Sequence, residues 1–212
     1  KENNWLGEGK QVAFDFEVNK ESVKGEFSYE NPNYDLLGNS LRYNFTNVTN
    51  DKPDQGYENK LVSIGVGTGY EQFEDIFTNL SLSASYDDLR TSNSASSALK
   101  KQSGEFSEIA GSYGFSIDKR NRKFMPTDGF IASFSQGLPF YADKPYLGNT
   151  FKISKYHSFN ENIVGAGKFY LDTINGLNDE DVRLSKRKSL STRRLRGFEK
   201  GKIGPKDGKD HV

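Results

Sequence analysis

Val62-Ser63-Ile64-Gly65-Val66-Gly67-Thr68-Gly69-Tyr70 alternates without a break. Val62, Ile64, Val66, Thr68 and Tyr70 fall on one side of an extended chain, and Ser63, Gly65, Gly67 and Gly69 fall on the other. Successive side chains of a strand point to opposite faces, so the stretch reads as a strand with one apolar face and one small, polar face. The same period recurs on both sides of it. Val12, Phe14, Phe16 and Val18 oppose Ala13, Asp15 and Glu17 within Gln11–Asn19. Val23, Gly25, Phe27 and Tyr29 oppose Lys24, Glu26, Ser28 and Glu30, and Leu41, Tyr43 and Phe45 oppose Arg42, Asn44 and Thr46. Further on, Leu80, Leu82, Ala84 and Tyr86 oppose Ser81, Ser83, Ser85 and Asp87. Ile109, Gly111, Tyr113, Phe115 and Ile117 then oppose Ala110, Ser112, Gly114, Ser116 and Asp118.

Three later windows, Phe130–Gly137, Thr150–His157 and Ile163–Thr173, alternate less cleanly. The pattern predicts nine strands and no helix: an all-β, antiparallel protein. Composition agrees. Of 212 residues only 33% are hydrophobic, yet 13% are aromatic and 21 are glycine. That mixture is too aromatic for a disordered chain and suits a sheet with one wet face.

Several classes fall away at once. No run of ~18 apolar residues exists, which excludes a transmembrane helix. Zero cysteine removes disulfide scaffolds, thiolate metal sites and cysteine nucleophiles. Two histidines, His157 and His211, leave little for histidine-based metal binding, and 29 basic against 29 acidic residues give no argument for nucleic acid. Gly-rich phosphate loops and HExxH are missing, so no nucleotide, metal or other cofactor is expected, nor an enzymatic activity. The chain starts at Lys1 and stops at Val212 without a terminating feature, and it reads as an internal piece of something longer.

Alternation alone leaves two architectures open. In a β-sandwich the polar face meets solvent; in a transmembrane barrel it lines the lumen. Windows of about 9–11 residues match the length a tilted strand needs to cross a bilayer. Tyr29, Tyr70, Tyr86, Phe140 and Tyr141 close strands as an interfacial girdle would. Connections read as alternately long (Val48–Asn59, Asp88–Ser107 and a tail of almost forty residues) and short (Glu71–Thr78, Phe159–Asn162), the habit of a barrel. The Ser-rich Thr91–Lys101 stretch reads as a mobile loop tip.

Two segments are not generic. Asp118 opens a charged turn that ends Phe124-Met125-Pro126-Thr127-Asp128-Gly129, where Pro126 fixes φ and Asp128-Gly129 supplies turn chemistry. In the tail, Leu195-Arg196-Gly197-Phe198 offers an always-charged fork, a permissive backbone point and an aromatic anchor, followed by Ile203-Gly204-Pro205. These two, with Asn4-Trp5-Leu6-Gly7-Glu8-Gly9 and Tyr29-Glu30-Asn31-Pro32, resemble four motifs of the Omp85 superfamily in family order, most closely those of its BamA-type outer-membrane assembly branch. The sequence departs from the pattern where Ser189-Leu190-Ser191-Thr192 replaces a Gly-Gly pair, and where Lys119–Lys123 lengthens the turn.

The resemblance implies a bacterial outer-membrane barrel of about sixteen antiparallel strands, preceded by periplasmic POTRA domains. Residues 1–212 would be a partial barrel domain, running from roughly its third strand to its sixth extracellular loop, with strands within 1–173 and the loop over 174–212. In the family that loop folds into the lumen, so Leu195, Arg196, Gly197, Phe198, Gly204 and Pro205 become the functional loop motif. The acidic partners of Arg196 are then expected beyond Val212. Asp118, Pro126, Thr127, Asp128 and Gly129 become a structural turn. The implied activity is non-enzymatic folding and insertion of β-barrel proteins. Its partners would be unfolded outer-membrane clients, accessory assembly lipoproteins (through the POTRA domains) and the lipid bilayer. A related translocation or assembly pore of the TamA or two-partner-secretion kind, and a passive porin, are the alternatives.

Overall fold

The computed structural model describes residues 1–53, 56–93, 95, 97–188, 197, 206–207 and 210–211. Ten strands form one open antiparallel sheet in which each pairs with its neighbour in sequence. They are β1 (Glu2–Trp5), β2 (Lys10–Asn19), β3 (Ser22–Asn31), β4 (Ser40–Lys52), β5 (Tyr57–Phe73), β6 (Ile76–Thr91), β7 (Gly104–Asp118), β8 (Gly129–Ala142), β9 (Tyr146–Asn160) and β10 (Ile163–Gly176). β1 and β10 are its two free edges. A separate pair, β11 (Lys206–Asp207) and β12 (Asp210–His211), lies in the tail. Helical structure among the described residues is a single turn, α1 (Ser97–Lys100), and a 3-10 turn at Leu184–Lys186. Neither is long or apolar enough to cross a membrane, which says nothing of a span built from strands.

Register turns each strand's alternation into faces of the whole sheet. Phe14, Phe27, Phe45, Ile64, Ala84 and Ile109 stand opposite one another in one row across six strands. The adjacent row holds Asp15, Glu26, Thr46, Ser63, Ser85 and Glu108 on the other face. A slip of one residue in any pair would exchange the two sets, so the faces fix the register.

The apolar face has no cover: Phe14 is 67% exposed, Ile64 59% and Phe169 57%. A sandwich would bury these side chains against a second sheet, so the sandwich reading fails here. An exposed apolar surface of this extent marks contact with a membrane or another protein. The buried apolar residues are few (Leu89, Ala95, Leu99, Phe106 and Leu184), and they gather at one end of the polar face.

Three expectations need correction. The sheet has ten strands, not nine, because Glu2–Trp5, where the alternation gives no strand, pairs with β2. Val48–Asn59 is mostly strand: Asn50 pairs with Asn59 and Asp51 with Glu58, which leaves only 53–56 as a connection. Asp88–Ser107 likewise shrinks to 92–103. Loop lengths therefore do not sort by rim. The rim with turns 6–9, 32–39, 74–75, 119–128 and 161–162 carries two of the longer connections, and the opposite rim also carries the short 20–21 and 143–145. Finally, the Thr91–Lys101 stretch is not a free tip, since Ala95 and Leu99 are buried against Leu89 and Phe106.

Candidate functional site

At the rim holding connections 53–56, 92–103 and 143–145, the polar face is covered. Past β10 the chain turns at Leu177–Glu180, where Asn178 and Asp179 both take positive φ and the Leu177 amide donates to the Pro145 carbonyl. Residues 181–188 then run back over the sheet as a strap. Leu184 enters the small apolar core with Leu99 of α1, so the strap and the β6–β7 connection share one packing unit. Truncating Leu99 to alanine is expected to loosen both, at about 2–3 kcal/mol. Faster protease cleavage in 92–103 together with 181–188 would show it; cleavage confined to one segment would contradict the shared core.

Beside that core lies a charge cluster. Arg183, whose side chain is 1% exposed, places Nη2 2.5 Å from Glu108 Oε2 on β7 and Nη1 3.9 Å from Asp87 Oδ2 on β6. Its guanidinium also sits 5.0 Å from the Phe106 ring centroid, where the face of the ring attracts a cation. Lys186 Nζ approaches the same Glu108 oxygen at 3.1 Å, and the Tyr146 hydroxyl donates to the other at 3.0 Å. Asp87 accepts from the Ser185 hydroxyl and, at 2.7 Å, from the Asn59 amide, which in turn accepts from Asn50. Lower on the strap, Lys188 pairs with Asp172 at 3.3 Å, an acid that also accepts from Thr150 and Tyr170.

Two carboxylates and two cations make the cluster neutral. Buried charges persist only when paired and hydrogen-bonded, so each member depends on the others. Among the described residues Arg183 Nε and Nη1 have no hydrogen-bond partner, and Nη1 faces Asp87 through charge. Sequence reasoning missed this site. The signal available was weak: Asp87 is the one acid at the end of the Ser81, Ser83, Ser85 row, and Arg183 stands 75 residues from Glu108.

The turn singled out from sequence is the second ordered feature. Asn121 is its hub, accepting from the Thr127 and Asp128 amides and donating to the Thr127 hydroxyl. Asp118 accepts from the backbone and guanidinium of Arg120. Gly129 has φ +92, and a Cβ there would strike the Lys119 carbonyl oxygen. Lys119 donates to Asp75 of the β5–β6 turn, a contact that holds its ammonium above the usual lysine range. Pro126 follows Met125, which takes φ +47. His157 lies 3.7 Å from Asp128 and edge-on to Phe159, and no group of metal-ligating residues forms among the described residues.

The first motif is a turn as well. Leu6, Gly7 and Gly9 all have positive φ, and the Asn4 side chain accepts from the Gly9 amide at 2.7 Å. β3 ends at Asn31, directly before Pro32. Of the loop motif, Gly197 has φ +87; Leu195, Arg196, Phe198, Gly204 and Pro205 lie outside the described residues.

The sequence matches the Omp85 superfamily domain over residues 4–212. The chain belongs to the Omp85 superfamily. Among solved structures, this Omp85 chain is similar to a crystal structure of BamA from Haemophilus ducreyi lacking POTRA domains 1–3, with a TM-score of 0.83 and 24% identity. The likeness covers 96% of the present chain and 42% of that one, so the Omp85 segment spans less than half the length of its structural relative. No curated protein matches the sequence. The open ten-stranded sheet is thus an incomplete barrel wall of the kind seen in BamA.

Proposed function

We propose that this chain forms part of the wall of a bacterial outer-membrane assembly factor of the BamA type, which folds and inserts other β-barrel proteins without enzymatic chemistry. In this reading the bare apolar face meets lipid, the polar face lines the lumen, and the strap is the root of the sixth loop entering it. One observation carries the proposal: within an Omp85 domain, the chain leaving β10 folds back onto the polar face and is pinned there by Arg183. A passive porin gives no reason for the Leu195-Arg196-Gly197-Phe198 motif beyond that root.

Catalysis of insertion needs no bound cofactor. An incoming strand pairs with an exposed sheet edge, and main-chain hydrogen bonds supply the affinity. Clients would dock at a seam formed by strands beyond this segment, accessory lipoproteins would bind through POTRA domains, and the bilayer would surround the wall.

Arg196 is assigned the tip contact, with a carboxylate on the inner wall beyond Val212. Arg196→Lys keeps the charge and loses the bidentate fork. In the complete protein, it is expected to fail to restore outer-membrane protein levels after depletion of the wild type, and to lose heat-resistant barrel migration. Full restoration with unchanged migration would contradict the assignment. Normal outer-membrane protein levels after depletion itself would contradict the assembly function.

A further inference from the structure

On β7–β10 a polar row crosses the apolar face. Tyr113 on β7, Gln136 on β8, Asn149 on β9 and Thr173 on β10 stand opposite one another in register. They are also hydrogen-bonded in series. The Tyr113 hydroxyl donates to Gln136 Oε1 at 2.6 Å, Gln136 Nε2 to Asn149 Oδ1 at 2.6 Å, and Asn149 Nδ2 to Thr173 Oγ1 at 3.4 Å. The next row toward the 119–128 rim is wholly apolar: Phe115, Phe134, Phe151 and Leu171. Along their own strands, Gln136 lies between Phe134 and Leu138, and Asn149 between Leu147 and Phe151. The Tyr113 ring packs on Phe115 and Phe134, with centroids 5.9 and 6.3 Å away.

Two amides and a phenol in the middle of an apolar band need an explanation. A surface built to receive a polar partner would leave its donors open. Here Tyr113, Gln136 and Asn149 each donate one hydrogen bond to an acceptor of the same row, an arrangement favoured where the surroundings offer no hydrogen bonds. We propose that Tyr113, Gln136, Asn149 and Thr173 form a hydrogen-bonded ladder facing acyl chains, a polar clamp that fixes the register of β7–β10 inside the hydrocarbon layer. In water such a ladder would hold strands weakly, because solvent competes for every bond. Against hydrocarbon each bond lost leaves a stranded polar group, so a register slip is strongly opposed. The inner side of the same strands holds Glu108, Tyr146 and Asp172, so the clamp also keeps the strap's anchors in line.

The proposal rests on the membrane reading, and its test separates the two. In the complete barrel reconstituted in lipid vesicles, Gln136→Leu alone strands the Tyr113 hydroxyl and the Asn149 carbonyl. It is expected to lower the folded-to-unfolded ratio at least tenfold (about 1.4 kcal/mol). Tyr113→Phe/Gln136→Leu/Asn149→Leu removes the ladder altogether and is expected to recover most of that loss. A harmless single substitution, or a triple variant less stable than the single one, overturns the clamp. So do protein rather than lipid adducts from a photoreactive side chain placed at Leu138, which would make the row a docking surface. Phe27→Cys, on the distant β3, reports the membrane reading by itself. If that thiol reacts freely with a water-soluble maleimide, the membrane reading fails; if it is protected while the ladder variants add, the clamp alone fails.

Discussion

Replacing Arg183 by alanine is expected to destabilise the folded barrel by about 3–5 kcal/mol, the cost of leaving a buried charge without its partner. Asp87 and Glu108 would both lose their shared cation while remaining nearly inaccessible to water. Lys186 pairs with Glu108, and among the described residues no ion pair joins it to Asp87, so it does not stand in for the guanidinium there. Arg183→Lys is expected to recover only part of the loss, because an ammonium cannot reach both acids as the flat guanidinium does. Exchanging the whole cluster for apolar residues of similar volume should be far less damaging than removing Arg183. Urea titration of the complete protein in lipid, read by gel migration with and without heating, measures each variant. An Arg183→Ala barrel as resistant as wild type would show that the strap is not anchored as described.

Gly129→Ala is expected to be nearly as severe, costing about 3 kcal/mol or more. The left-handed φ penalises any side chain, and the added methyl would land on the Lys119 carbonyl, with Arg120 Cα only 2.9 Å away. Lys119 is committed on both sides, its amide to the Phe130 carbonyl and its ammonium to Asp75, so the obstructing backbone cannot simply withdraw. Gly137→Ala serves as the matched control on the same strand, since nothing lies within 4 Å of a Cβ there. Refolding yield into vesicles would separate the two, with Gly129→Ala low and Gly137→Ala close to wild type. Equal yields would mean that the 119–128 turn tolerates rearrangement.

Much of this fold is legible from the residues because one face is predominantly apolar. Val62–Tyr70 and Leu80–Tyr86 need no partner to declare their faces, and the structure pairs them in the register that keeps those faces together. Glu2–Trp5 was not legible: four exposed, mostly polar residues form a strand only because β2 offers an edge. Val48–Lys52 reads as the start of a long connection, yet its pairing with β5 runs out to Lys52 and Tyr57. The end of β4 is set by its neighbour, not by its own propensities. The strap was hidden for a different reason. Arg183 looks like any basic residue in a basic tail, and its meaning comes from two acids on strands far earlier in the chain. The ladder was hidden as well, since Gln136 and Asn149 look like breaks in the alternation until register sets them side by side.

In the proposed membrane reading, adjacent residues of one strand face different media, hydrocarbon on one side and the lumen on the other. The 212 residues contain no cysteine, so an introduced thiol is the one labelling site within this segment. Leu82→Cys and Ser83→Cys, neighbours in the middle of β6, should be compared in the complete protein reconstituted in lipid vesicles and treated with a water-soluble maleimide. Labelling of Ser83→Cys with protection of Leu82→Cys is the expected result; equal labelling of both, or the reverse order, would contradict the account.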